Sequence, residues 1–195
     1  MPSGLRGAID FAMESDVGRV RSNNEDAVGA DHELGLLILA DGMGGYKAGE
    51  IASGMTVASV LETVRKQLPS LRVDDSDDDH SPHALLLREA LETAHTSVYH
   101  VSRSQKQCEG MGTTAVVLLF RDDCIAVASV GDSRLYRLRD REIQQITRDH
   151  SLVQELIDRG FYTAEEAETK VARNIVTRAL GIGVMGIGVW ITQQA

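Results

Sequence analysis

Residues 36–45 read LLILADGMGG, an oily run that ends in one carboxylate and then three glycines within four positions. Leu36, Leu37, Ile38, Leu39 and Ala40 have the pattern of a strand buried on both faces. Asp41 opens a turn in which Gly42, Gly44 and Gly45 let other atoms approach the main chain closely. A carboxylate held at a strand end beside accessible carbonyls suits a hard cation or a phosphate-bearing ligand. Taken by itself, such a stretch is more often a strand followed by a glycine-rich loop, so the surrounding chain has to decide.

Upstream, alternation in AIDFAMESD (8–16) predicts a first strand, and GRVRSNNEDAVGA leads from it towards Leu36. Downstream, Ile51, Met55, Ala58, Leu61, Val64 and Leu68 recur at helical spacing, a helix of about five turns. Pro69 and the acidic VDDSDDDHSP (73–82) end it. That segment lacks the glycine an EF-hand needs at its sixth position, so it reads as a solvated linker. Ser81-Pro82 starts a second helix, in which Leu87, Leu91, Ala94, Val98 and Val101 share a face. MGTTAVVLLF, CIAVASVGDS and RLYRLRDREIQQIT follow as strands, with turns at Arg121-Asp122-Asp123 and Asp140-Arg141, a meander that implies antiparallel pairing. Residues 149–180 return to helical character, broken at Gly160 and Phe161-Tyr162. Strands, two helices, more strands and short helices predict an α+β fold rather than a βαβ repeat.

The chain of 195 residues suits one domain, and 43% hydrophobic with 25% charged residues is the balance of a soluble globular protein. A net charge of −9 without a basic stripe argues against nucleic acid as a partner. Cys108 and Cys124 form no CxxC, which points to a reducing cytoplasm rather than a disulfide framework. MPSGLRGAID lacks the apolar core of a signal peptide, and no run approaches the length of a membrane span.

Three acidic sites end or border strands: Glu25-Asp26 in RSNNED, Asp41 in ADGMGG and Asp132 in VGDSR. Singly, each is an ordinary turn or capping residue. Together with main-chain carbonyls they form the donor set of Mg²⁺ or Mn²⁺ and not of zinc, and no two histidines have zinc spacing. Arg21 falls four residues before Glu25, and a guanidinium beside such a centre suits a phosphate. Other chemistries fail on the same residues. Lys47 stands where a dinucleotide fingerprint needs its third glycine, and neither GK[ST] nor GxSxG occurs.

VRSNNEDA, LADGMGGYKAGEIAS, GMGTTAVV, VGDSRLYRLRD, QITRDHSLVQELIDRG and ARNIVTRALG, in this order, resemble the motifs of bacterial metal-dependent protein serine/threonine phosphatases, the type-2C or PPM family. The resemblance spans about residues 8–181. It implies two packed antiparallel sheets flanked by helices, an α-β-β-α sandwich, with two divalent metals (three in some bacterial members) in a cleft at the sheet ends. By similarity Asp41 would bridge the metals and the Gly42 carbonyl would ligate one. Glu25 and Asp26 would hold metal-bound waters, Asp132 would help to hold the third metal, and Arg21 would bind the substrate phosphate. Residues 149–172 match a flap beside the cleft. Position 43 is Met, as in bacterial members, where animal members carry a histidine. The implied reaction is hydrolysis of phosphoserine and phosphothreonine by a metal-bridged hydroxide. The implied partners are phosphorylated proteins, substrates of a serine/threonine kinase, met by a monomeric cytoplasmic enzyme.

The pattern breaks after TRALG. The family continues there with a strand ending in Asp-Gly and later an Asp-Asn pair, both aspartates being metal ligands, so the usual C-terminal strands have no counterpart here. This chain reads IGVMGIGVWITQQA (182–195), without a charged residue. That tail is expected to form one apolar strand, to be disordered, or to reflect a shifted or misplaced end. It leaves a second expectation beside the first, a catalytically impaired phosphatase-like module that binds partners without turnover.

Overall fold

The computed structural model describes residues 9–45, 47–71, 81–121, 124–172, 174–183 and 188–193. The apolar run forms β2 (Leu36–Met43), the strand on which the site is built. Its neighbours are β1 (Asp26–Asp31), paired antiparallel from Asp26↔Asp41 to Asp31↔Leu36, and β4 (Ala115–Arg121) on its other side. The short β3 (Gly112–Thr113) pairs with the end of β2 at Gly42 and Met43. β5 (Cys124–Val130) and β8 (Gly188–Gln193) complete an antiparallel sheet in the order β1-β2-β4-β5-β8. Part of the uncharged tail therefore becomes a strand on the sheet edge, the first of the three expected outcomes. The acidic linker before Ser81 and most of the turn at 121–123 lie outside the described residues.

α1 (Ala48–Gln67) and α2 (Pro82–Ser104) cover one face of this sheet. Ser81 caps α2 by accepting the Ala84 amide at 3.3 Å, and Pro82 sits where its missing N–H costs nothing. Val57, Val60 and Val64 of α1 and Leu86, Leu87 and Leu91 of α2 pack on Leu36, Ile38, Val117, Leu119 and Ala128. Each fully buried leucine contributes about 2 kcal/mol.

Only the even positions of β2 enter this core, so the strand is buried on one face and not on both. Leu39 is 43% exposed on the outer face. The reason is layering: both long helices lie on the same side. The outer face is bordered by residues 12–14 and by Arg134 and Leu135, around a cavity of about 260 Å³. Residues 9–16 carry no strand, and this corrects the predicted first strand. Ala12, Met13 and Glu14 run instead along apolar Val28, Leu37 and Leu39. The Phe11 ring stacks on His32 at 3.8 Å.

The second sheet is the hairpin of β6 (Tyr136–Arg139) and β7 (Glu142–Gln145). Asp140 and Arg141 turn it with φ of 50° and 67°, the two left-handed residues of a type I′ turn. α3 (Leu152–Asp158) and α4 (Ala164–Lys170) follow, capped by Ser151 and Thr163. This is an α+β fold of antiparallel sheets with flanking helices. Among the described residues no helix is long and apolar enough to cross a membrane.

Candidate metal centre

The register of β1 on β2 sets Asp26 directly opposite Asp41, on the face away from the helices. The pairing Gly42↔Thr113 and Leu39↔Val116 brings Thr114 to the same level, and Ala115↔Val130 brings Gly131 beside it. One transverse row of the sheet thus runs Asp26, Asp41, Thr114, Gly131, and Asp132 follows at its end. Asp41 and Thr114 of this row line a cleft of about 630 Å³, together with Arg21, Glu25, Gly42, Met43 and Asp132.

Each carboxylate is held differently. Asn24 Oδ1 accepts the Asp26 amide at 3.0 Å, fixing the entry to β1. The Glu25 carbonyl accepts the Gly42 amide at 3.0 Å and the Ser53 hydroxyl at 2.6 Å, which ties it to the end of β2 and the first turns of α1. Gly42 and Gly49 make room for this. A Cβ on Gly42 would lie 2.1 Å from the Gly49 carbonyl oxygen, and one on Gly49 would lie 2.5 Å from Glu25 Oε1. The close approach expected of Gly42 from the sequence is thus present, and the group that approaches is main chain of α1 and of residue 25.

Glu25 Oε1 is buried and has no hydrogen-bond partner. Its other oxygen, Oε2, lies 4.0 Å from Nη1 of the largely exposed Arg21. Asp41 opens onto the cleft, yet desolvation by the cleft walls, with the charge and hydrogen bond of Asp26, pushes its carboxyl up to about 6. Asp132 adds to the rise and Arg21 opposes it. Crowded carboxylates that hold a proton this strongly are relieved by a cation.

These residues fit a hard divalent ion. The donors are all oxygens, one carboxylate oxygen is buried without a partner, and two carboxyls share one position of the sheet. Among the described residues no three His, Cys, Asp or Glu side chains gather into a ready-made cage. Mg²⁺ commonly takes one or two carboxylates and fills its octahedron with water or phosphate.

The structure thus brings Arg21, Glu25, Asp26, Asp41, Gly42 and Asp132 to one cleft region. Several residues passed unnoticed in the sequence. Thr114 donates its amide to the Asp41 carbonyl at 2.9 Å and accepts the Asp41 amide on Oγ1 at 3.1 Å. His150 accepts the Gly131 amide on Nδ1 at 3.1 Å, and its own amide returns to the Gly131 carbonyl at 2.9 Å. Asn174 and Val176 line the cleft from beyond the two short helices. The doubled threonine of GTTA and the His after Asp149 were visible as residues, but nothing in their spacing announces a contact so distant in sequence.

The chain entering α3 and the chain leaving α4 are tied to each other. Leu152 donates to the Ile175 carbonyl at 3.0 Å and Thr177 to the His150 carbonyl at 2.8 Å. Asp149, largely buried, takes a bidentate grip from Arg134, with Nη2 at 2.6 Å. A second cavity of about 560 Å³ between Asp132, Arg134, Gln154 and Ile157 lies under α3.

The protein phosphatase 2C family model matches residues 18–185. The serine/threonine protein phosphatase PstP of Mycobacterium tuberculosis is 40% identical over 174 residues, 88% of this chain and 31% of that protein. The chain therefore spans less than a third of that relative's length. The crystal structure of the Mycobacterium tuberculosis serine/threonine phosphatase PstP/Ppp superposes with a TM-score of 0.79 at 35% identity, over 93% of this chain and 72% of the other. A PstP catalytic domain in complex with two manganese ions superposes with a TM-score of 0.75 at 34% identity, over 93% and 71%.

Proposed function

The chain belongs to the protein phosphatase 2C family, and from that premise we propose that it hydrolyses phosphoserine and phosphothreonine in proteins with the help of Mg²⁺ or Mn²⁺. The observation that carries this is Asp41, with Asp26 opposite it on the neighbouring strand, in an open cleft that Arg21, Glu25 and Asp132 also line. Asp41, Asp26 and the Gly42 carbonyl, with Glu25 and Asp132 nearby, would hold two divalent ions, and Asp132 a third. Bound there, such ions would neutralise phosphate charge and acidify water.

The chain's own residues do the rest. Arg21, anchored beside Glu25 and otherwise free to swing, binds two phosphate oxygens at once. Water attacks phosphorus, the bond to the seryl or threonyl oxygen breaks, and that oxygen takes up a proton. Among the described residues neither Cys nor His lines the cleft, so a phosphocysteine or phosphohistidine intermediate has no carrier there. The segment 149–172 acts as a flap over the substrate. The proposed setting is cytoplasmic, with a single chain acting on the products of a serine/threonine kinase.

The test is Mn²⁺-dependent phosphate release from a phosphothreonine peptide, with EDTA as control. Release that EDTA abolishes is the expected result. Peptide binding without any release would mark a non-catalytic module and overturn the proposal.

A further inference from the structure

We infer that Thr114 is a positioning residue that sets the spacing between the Asp41 strand end and the Asp132 turn; the inference rests on the metal reading above. In a regular antiparallel pair, the Asp41 amide would bond to the carbonyl opposite. Here it bonds to the Thr114 hydroxyl at 3.1 Å, while the Thr114 amide still reaches the Asp41 carbonyl at 2.9 Å. The Thr113 hydroxyl lies 2.9 Å from both the displaced Thr114 carbonyl and the Asp41 carbonyl, with one proton to serve the two. A side chain has replaced one main-chain acceptor in the ladder, and the strand is interrupted between β3 and β4 at that residue.

The same oxygen faces the other way too. Thr114 Oγ1 lies 2.7 Å from Ser133 Oγ, in the turn that carries Asp132. Gly131, at φ +100°, sits against the Thr114 methyl, where a Cβ would come within 2.6 Å of Cγ2. Thr114 is 1% exposed, so its hydroxyl is held almost entirely by protein groups. One hydroxyl thereby links the amide of Asp41 to the neighbour of Asp132, and one methyl seats the turn between them.

Hydroxyl and methyl can be separated. Thr114→Val keeps the shape and deletes the hydroxyl; Thr114→Ser keeps the hydroxyl and deletes the methyl. Mn²⁺ affinity is read by calorimetry with the metal and no substrate, beside thermal melts. The expected result is roughly tenfold or more weaker Mn²⁺ binding for Thr114→Val and a change under about threefold for Thr114→Ser, the scale of outer ligand supports. Ser133→Ala, at a part-exposed turn, should weaken Mn²⁺ several-fold with an unchanged melt. It decides the matter if Thr114→Val fails to fold. Adding Ser133→Ala to a folded Thr114→Val should cost nothing more, because the pair is already broken. Wild-type uptake of Mn²⁺ with both hydroxyl deletions matching it, or equal losses in Thr114→Val and Thr114→Ser, overturns the inference by itself. A wild-type chain that takes up no Mn²⁺ overturns the metal reading and this inference together.

Discussion

Asp41 and Arg21 face the same cleft but should fail in different ways. Asp41→Asn keeps the size and the main-chain bonds to Thr114 and removes the charge that two ions would share. Turnover with Mn²⁺ should drop by on the order of a thousandfold or more while the melt holds, because both the ions and the attacking water depend on it. Near-normal turnover in that variant would end the assignment. Arg21→Ala should raise KM for a phosphopeptide about tenfold or more, the scale of a charge-assisted pair of hydrogen bonds, and leave Mn²⁺ affinity almost unmoved. A lost metal affinity with unchanged KM would make Arg21 structural. That both residues belong near one cleft was legible from their grouping, three acidic sites bordering strands with a guanidinium four residues before Glu25, although each alone is ordinary. Thr114 was not, because a threonine beside a strand has many ordinary uses and its role depends on a partner 73 positions away.

Between elements, the junctions are tight where the site needs them. The end of β2 meets the start of α1 at Gly42, where a Cβ would lie 2.1 Å from main-chain oxygen. Gly42→Ala should therefore cost about 3 kcal/mol, roughly 6–12 °C of melting temperature for a chain of this size. Gly45→Ala, three residues on with nothing within 4 Å of its Cβ, should change it little. The turn after β5 is joined to the segment before α3 by His150, whose pKa burial lowers, helped by Arg178 and opposed by Asp149 and Glu155. A histidine harder to protonate when folded binds fewer protons than its unfolded form. Its stabilising effect is full above the ordinary histidine range and fades as pH falls through the lowered value. The melting temperature should drop between about pH 7.5 and 5.5, and His150→Asn should flatten that slope; His95, lowered likewise by burial, sustains the remainder. An unchanged slope in the variant would show that His150 is not the group whose protonation destabilises the fold, since Nδ1 cannot accept the Gly131 amide once protonated. At this scale α2 was legible with its buried face from apolar spacing, and the β6–β7 turn from its punctuation. α1 was legible as a helix, but the stripe read for it was not the buried one, since Ile51 is 38% exposed while Ala52, Thr56, Val57 and Val60 are buried. The strand at 8–16 was misread because alternation records one-sided contact with an apolar surface, which an irregular segment crossing a sheet produces as well.

Among the described residues, one face of the large sheet is covered by two long helices and the other is only partly covered. Leu39 at 43% belongs to that open side, and Leu138 at 73% and Ile143 at 72% stand out on the hairpin. Such apolar surface favours self-association. Leu138→Lys with Ile143→Thr should shift light scattering towards smaller species while the melt moves by no more than a degree or two, as expected of exposed sites. Unchanged scattering would place the sticky surface elsewhere. The α+β class followed from the order of elements; the uneven cover did not, because periodicity records which residues want burial and not whether a layer arrives to bury them. The transverse row that carries the carboxylates has a consequence for quality control. Side chains alternate between faces, so a slip of β1 by one residue against β2 sends Asp26 to the helix side and leaves Asp41 without its companion. A mispaired chain would be silent rather than sluggish. On the proposed function, turnover would then report folding as well as chemistry: a molecule that reacts would be one that had threaded its edge strand correctly.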